Sequence, residues 1–174
     1  MSNRVTYYAQ SALWVAQADG NVDEVSDELF RFARALDGND ELRSALTDQR
    51  IEASRRQQIV EDLLGGKASA TTLGLISLFV AAGHAGEIPK IADKVVELSA
   101  SAAGREVALV RTAVPLSDDQ HNRLVAALTK AHGADLDVKV QVDPSVVGGI
   151  VTQIGDTVLD GTVRTRLSQL REAF

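Results

Sequence analysis

The sequence predicts an α+β fold, mostly α, with a six-helix N-terminal bundle over residues 1–104 and a small β-α-β-β-β-α domain over residues 105–174. Three observations carry that reading. Up to about residue 103, apolar residues recur at the three-to-four spacing of amphipathic helices. Past Gly104 the spacing changes to alternation, as in "EVALVRTAV" and "LDVKVQV". Aromatic residues make up only 4% of the 174, while Ala, Val and Leu are plentiful, which suits close-packed helices better than a β-sandwich.

The helices follow in order. Val5, Tyr8, Ala9, Ala12, Leu13 and Ala16 form one stripe, stopped by Asp19–Gly20. Val22, Val25, Leu29, Phe32, Ala33 and Leu36 form the second, stopped by Asp37–Gly38. Asn39 is a good N-cap for a short third helix that turns Leu42 and Leu46 inward. Ile59, Val60, Leu63 and Leu64 anchor a fourth helix ending at Gly65–Gly66. Ser69 opens a fifth, rich in Leu73, Ile76, Phe79 and Val80. Ile88, Ile91, Val95, Leu98 and Ala102 mark the sixth, with Pro89 in its first turn and Gly104 just past its end. Short connections predict that neighbouring helices fold back on one another.

The second half opens with the strand "EVALVRTAV". Ser117, with Gln120 three residues on, predicts a capping box for the next helix, and Gly133 ends it. Asp118 and Asp119 suit the positive end of that helix. The strand "LDVKVQV" places Leu136, Val138, Val140 and Val142 on one face. Residues 150–154 and 157–160 then read as two strands joined at Gly155–Asp156, a two-residue hairpin turn. Val163, Leu167, Leu170 and Phe174 predict a closing helix.

Composition narrows the function. A net charge of −6 and the lack of any Lys/Arg cluster beyond pairs such as Arg55–Arg56 argue against a nucleic-acid role. With no cysteine, disulfides, thiolate metal sites and cysteine nucleophiles are excluded for this chain. "MSNRVTYYAQSALW" carries charge and polarity where a signal peptide needs an apolar run. The longest apolar run, around "LISLFVAAG", is about half of the ~20 residues that span a bilayer. A soluble protein is expected, with any membrane association made through partners.

The glycine-rich stretch "DPSVVGGIVTQIGDTVLDGTVRTRL" poses the one serious question of chemistry. A phosphate cradle needs glycines between a strand and a helix N-terminus, as in GxxxxGK[ST] or GxGxxG. Gly148–Gly149 leads into a strand instead, and Gly161 precedes the closing helix alone, with no lysine. These glycines read as structural: a bulge or close backbone approach at Gly148 and Gly149, a positive φ at Gly155, a tight helix entry at Gly161. His84, His121 and His132 sit at helix ends or on a polar face, without HExxH spacing. Acid pairs such as Asp118–Asp119 and Glu61–Asp62 fall in polar helix turns, and there is no GxSxG elbow. No catalytic residue, metal ligand or cofactor site is expected.

One feature of the bundle exceeds what a closed core needs. The first helix carries a second stripe, Tyr7, Ser11, Trp14 and Ala18, with Val15 adjoining; the fifth adds Leu75, Leu78 and Ala82 to its inward set. A surface helix ordinarily keeps a single apolar stripe. Helices apolar on two sides are either buried centrally or line a groove for another helix.

The chain resembles the delta subunit family of bacterial F-type ATP synthases, whose mitochondrial counterpart is the oligomycin-sensitivity-conferring protein. "VRTAVPLSDDQHNRLVAAL" is similar to the family's strand, A-x-P-L-S and helix. "VDPSVVGGIVTQIGDTVLDGTVRTRLSQL" resembles its closing signature: a double glycine, IGD, then DG[ST], a basic residue and spaced leucines. "YYAQSALWVA" and "VSDELFRFARAL" are similar, less specifically, to its first two helices. The chain departs from the family at "GHAGEIPK", where members commonly carry a turn with Asn and Arg. Some bacterial lineages carry this unit at the end of a longer chain.

The resemblance implies a non-catalytic stator joint. Residues 1–104 would bind the N-terminal segments of the alpha subunits, and residues 105–174 the C-terminal end of the b-type peripheral stalk. The alpha segment would lie in a groove lined by Tyr7, Ser11, Trp14, Val15, Leu75, Leu78 and Ala82. The protein would sit peripherally at the cytoplasmic face of the bacterial cell membrane, as part of the complex. Two other classes stay open at this point: a generic helical adaptor, and a small-ligand enzyme using the Gly148–Gly149 region.

Overall fold

The computed structural model describes residues 2–162 and divides the chain into two compact units, one up to Ser99 and one from Ala100 onward. The division falls inside the sixth helix, a few residues ahead of Gly104. Among the described residues there are seven α-helices and one four-stranded sheet, an α+β fold that is mostly helical.

The first unit contains α1 (Ser2–Asp19), α2 (Val22–Asp37), α3 (Asp40–Thr47), α4 (Ala53–Leu64), α5 (Ala70–Ala81), a short 3-10 turn (Ala85–Glu87) and the start of α6 (Ile88–Ala102). The periodic stripes do what the sequence leads one to expect. Ala9, Ala12, Leu13 and Ala16 of α1 meet Val25, Leu29, Phe32 and Leu36 of α2, Leu46 of α3, Val60 of α4, Ile76, Phe79 and Val80 of α5, and Ile88 and Ile91 of α6 in one core. Each fully buried Leu, Ile or Phe contributes about 1.5–3 kcal/mol. Asn39 caps α3, its side-chain oxygen accepting from the Leu42 amide at 2.9 Å. The Ser69 hydroxyl does the same for α5, accepting from the Thr72 amide at 3.3 Å.

Two polar devices fix α5, and neither announces itself in a hydropathy pattern. At its N-terminal end, the Glu28 carboxylate of α2 accepts from the Ser69 amide at 3.0 Å and from the Ser69 hydroxyl at 2.7 Å. At its other end, Arg56 of α4 is almost wholly buried and donates to the carbonyls of Val80 at 3.1 Å, Leu46 at 3.3 Å and Ile51 at 3.2 Å. Val80 and Leu46 lie in the last turns of α5 and α3; the guanidinium satisfies the Leu46 carbonyl and is a second donor to the Val80 carbonyl, which also accepts from the Gly83 amide at 3.1 Å. The negative end of a helix dipole favours a cation there, and its positive end an anion. Helix α5, which carries no charge of its own, is held by complementary charges at both ends.

The second unit contains β1 (Glu106–Thr112), α7 (Asp118–His132), β2 (Leu136–Val142), β3 (Ile150–Ile154) and β4 (Thr157–Asp160). The sheet order is β2-β1-β3-β4; β1 and β2 run parallel, joined through α7, and the other pairs are antiparallel. Ala108, Val110, Leu136, Val138 and Ile154 form the core, with Leu124, Val125 and Leu128 of α7 packed over it. The capping box at Ser117 and Gln120 is present, and Gly133 closes α7 in the left-handed region at φ 81°. The closing helix expected from Val163, Leu167, Leu170 and Phe174 lies outside the described residues.

Strand β2 follows its alternation only in part. Leu136 and Val138 are buried, whereas Val142, at the strand's end, is exposed. On the opposite face Lys139 is buried, its Nζ 3.1 Å from the Asp137 carboxylate. That register follows from period 2: residues 137 and 139 share the face that the valines do not.

Candidate functional site

The residues expected to line a groove are carried by α1 and α5, which pack side by side in opposite directions. Near the end of α1, Asp19 accepts a hydrogen bond from the Thr71 hydroxyl at 2.7 Å, and Asn21 donates to that same hydroxyl at 3.2 Å. Toward its start, Tyr8 meets Phe79 edge-on, ring centroids 5.6 Å apart, and lies 4.9 Å from the His84 ring. Arg4 pairs with Glu87. The turn "GHAGEIPK", where the chain departs from the family pattern, thus ties the start of α1 to the approach to α6.

With Ala9, Ala12, Leu13 and Ala16 turned into the core, the remaining stripe of α1 faces outward. Tyr7 is 62% exposed, Trp14 65% and Val15 45%. Ser11 is exposed between them, its hydroxyl satisfied by the Tyr7 carbonyl at 2.9 Å. On α5 Leu78 is 57% exposed, and Ala82 is also open. Leu75 is different. At 6% exposure it belongs to the bundle core, so it supports the site from beneath instead of lining it. Trp14 is not a core residue, which removes the burial explanation for the second stripe of α1.

Gly74 is also exposed on α5, one turn from Leu78, and was not singled out by sequence reasoning. Its helical position and missing side chain were the available signal. A small residue there keeps the helix surface low, so that a partner's backbone can approach. The result is an apolar, aromatic-bearing face on a helix pair anchored at both ends. Such a face can bind an apolar partner.

A cleft of about 440 Å³ beside the start of α1 is lined by Val5, Thr6, Glu87, Lys90, Asp93, Lys94 and Glu97, with charges of both signs. Among the described residues no group of three or more His, Asp or Glu could hold a metal ion. His84 lies 3.5 Å from Glu87, and in the second unit His132 pairs with Glu106 at 3.0 Å.

The glycine stretch has a physical account as well. Gly149 adopts φ 96°, and a Cβ placed on it would come within 2.5 Å of the Gly161 carbonyl oxygen. The backbones of the 143–149 loop and of residues 161–162 therefore pass too closely for a side chain, and no phosphate-sized space lies between them. Gly155 adopts φ 53° in the β3–β4 turn. No helix of the described residues is long and apolar enough to cross a membrane.

Comparison with known proteins falls in line with this geometry. The family described as "ATP synthase delta (OSCP) subunit" matches residues 5–174. The ATP synthase subunit delta of Streptomyces avermitilis is 42% identical over 159 residues, covering 91% of this chain and 58% of that protein. Its counterpart in Frankia alni is 40% identical over 165 residues, covering 95% of this chain and 60% of that protein. The chain therefore spans a little under two thirds of the length of these relatives. A chain of the Toxoplasma gondii mitochondrial ATP synthase hexamer, solved by cryo-electron microscopy, matches with a TM-score of 0.55 at 22% identity, covering 97% of this chain and 96% of that one, a likeness of fold.

Proposed function

From this chain's membership of the ATP synthase delta (OSCP) subunit family, we propose that it is a non-catalytic stator joint of an F-type ATP synthase. In this reading the first unit binds the N-terminal segments of the alpha subunits and the second holds the C-terminal end of the b-type stalk. Binding at both ends keeps the alpha/beta ring from turning with the rotor. The protein is then peripheral, held at the cytoplasmic face of the bacterial cell membrane by its complex.

The observation that carries the proposal is the outward stripe of Tyr7, Trp14, Val15 and Leu78 on the paired α1 and α5. An amphipathic helix is the occupant that fits, because its i, i+3/i+4, i+7 side chains match a face two helices wide. Tyr and Trp commonly dominate such contacts, and truncating one weakens binding by ~2 kcal/mol or more. Trp14 is the chain's only tryptophan. An alpha N-terminal peptide should therefore change its fluorescence on titration. Leu78→Asp, confirmed folded by melting, should bind the peptide at least tenfold more weakly; equal affinity in the two proteins would place the site elsewhere.

A further inference from the structure

A further cleft opens among α2, α3 and the end of α4. On α2, Glu28, Arg31, Phe32 and Ala35 fall at i, i+3, i+4 and i+7, so they share one face of the helix. Against that face stand Leu42 of α3 and Leu63 and Leu64, the last two residues of α4. The space between them measures about 290 Å³ and is open to solvent. Its floor is part of the bundle: Phe32 is buried, and Leu42 and Leu64 are half-buried against the core. Leu63 is 40% exposed. Outside the α1/α5 face it is the one large apolar side chain exposed in the first unit among the described residues.

The rim is charged, and unevenly. Arg31 and Lys67 line the cleft against a single carboxylate, Glu28. That carboxylate is engaged, accepting from the Ser69 amide at 3.0 Å and from the Ser69 hydroxyl at 2.7 Å. Two cations and one carboxylate leave one unit of positive charge at the mouth, in a chain whose net charge is −6.

Size and charge select the occupant. Small-molecule sites usually measure ~300–1,000 Å³, and this cleft stands at the bottom of that range, room for one apolar tail. A singly charged anion balances the mouth; a doubly charged one would meet Glu28 with negative charge to spare. A neutral or cationic head would leave the excess unmatched.

We propose that this cleft binds a carboxylate with a single apolar tail, the tail laid over Phe32 between Ala35, Leu42 and Leu63 and the head between Arg31 and Lys67. The site is independent of the stator reading, since none of its residues lies on α1 or α5. The probe is decanoate, titrated calorimetrically into the full chain below its self-assembly concentration. Saturable binding is expected, with decanol at least tenfold weaker and decyltrimethylammonium not bound. From hexanoate to decanoate each methylene should tighten binding, by up to about fourfold. Leu63→Asp and Ala35→Trp, both at exposed positions and both checked by melting, should each weaken decanoate at least tenfold. Lys67→Gln should weaken it several-fold and flatten its salt dependence.

No saturable binding of decanoate, or binding that Leu63→Asp and Ala35→Trp both leave unchanged, would overturn the site. Equal affinity for decanol would overturn the charge assignment, and a flat chain-length series the apolar seat. Binding to phosphatidylglycerol vesicles without binding of free decanoate would make the occupant a membrane surface. Displacement of decanoate by the alpha N-terminal peptide would make it a protein segment, and self-association abolished by Leu63→Asp would make it a second copy of the chain; each of these three results would overturn the proposal.

Discussion

Replacing Arg56 by Met should destabilise the first unit more than any surface change in the chain. Arg56 donates to three carbonyls, and its bonds to Leu46 and Val80 are buried. Methionine keeps much of the volume and removes every donor. Leaving the Leu46 carbonyl without a partner costs about 1–3 kcal/mol, and the Val80 carbonyl, which keeps the Gly83 amide, loses an ordinary bond worth about 0.5–1.5, roughly 1.5–4.5 kcal/mol together. Relief of a desolvated guanidinium offsets part of this. A net loss of about 2 kcal/mol is expected. For a unit of this size, 1 kcal/mol moves Tm by ~4–8 °C, so the midpoint should fall by about 8–16 °C. Far-UV circular dichroism melts of the full chain would read it, alongside denaturant titration. Arg55 is the internal control: it is adjacent and exposed, and Arg55→Met should stay within ~0.5 kcal/mol of wild type. Equal melts for the two variants would show that the carbonyls find water or relax, and that the cation is not what holds the ends of α3 and α5.

Other expectations follow from the same structure. Burial pushes the Glu28 carboxyl upward, but hydrogen bonds from Thr72 and Ser69, with nearby Arg31, outweigh it and hold the group below the usual glutamate value. Its folded pKa is thus below its unfolded one, so Glu28 adds stability that is full above the unfolded value and lost as pH falls through the folded one. Glu28→Gln should cost about 1–2 kcal/mol at pH 7 in urea titrations, the gap closing toward pH 3; a gap constant with pH would refute this. Gly149→Ala should destabilise the second unit by about 2 kcal/mol or more, through its positive φ and the Gly161 carbonyl, and a neutral result in denaturant melts would contradict the close approach. Trp14→Ala should leave the melting midpoint within a few degrees while abolishing alpha-peptide binding; unfolding would return Trp14 to the core. Residues 1–104 expressed alone should melt cooperatively, and a disordered fragment would count against two separable units.

What was legible in the sequence was local. The caps at Asn39, Ser69 and Ser117, the stop at Gly133 and the turn at Gly155 each depend on residues within a few positions, and each stands where its chemistry put it. Leu75 shows the limit. Helix α5 is apolar nearly all round, so its pattern has no phase, and only packing decides that Leu75 points in and Leu78 out. Arg56 was visible only as half of a basic pair. A signal existed, since position 56 lies one turn before Val60 on the core stripe of α4, but the carbonyls it serves are up to 24 residues away. The same holds for Glu28 and Ser69, which lie 41 residues apart. Sequence patterns report faces; they do not report which distant backbone group a buried charge will meet.

The opposed packing of α1 and α5, joined at Asp19–Thr71 and at Tyr8–Phe79, has a mechanical consequence. A helix lying along this pair and pulled along its own length would load all its side-chain contacts at once, in shear. Pulled crosswise, the same contacts would open one after another, as a zipper does. Contacts at both ends also oppose sliding of α1 against α5, so the bed itself would resist axial load. Such a bed would be stiff along one direction and yielding across it, and the direction is set by the helix axes, not by the strength of any single contact.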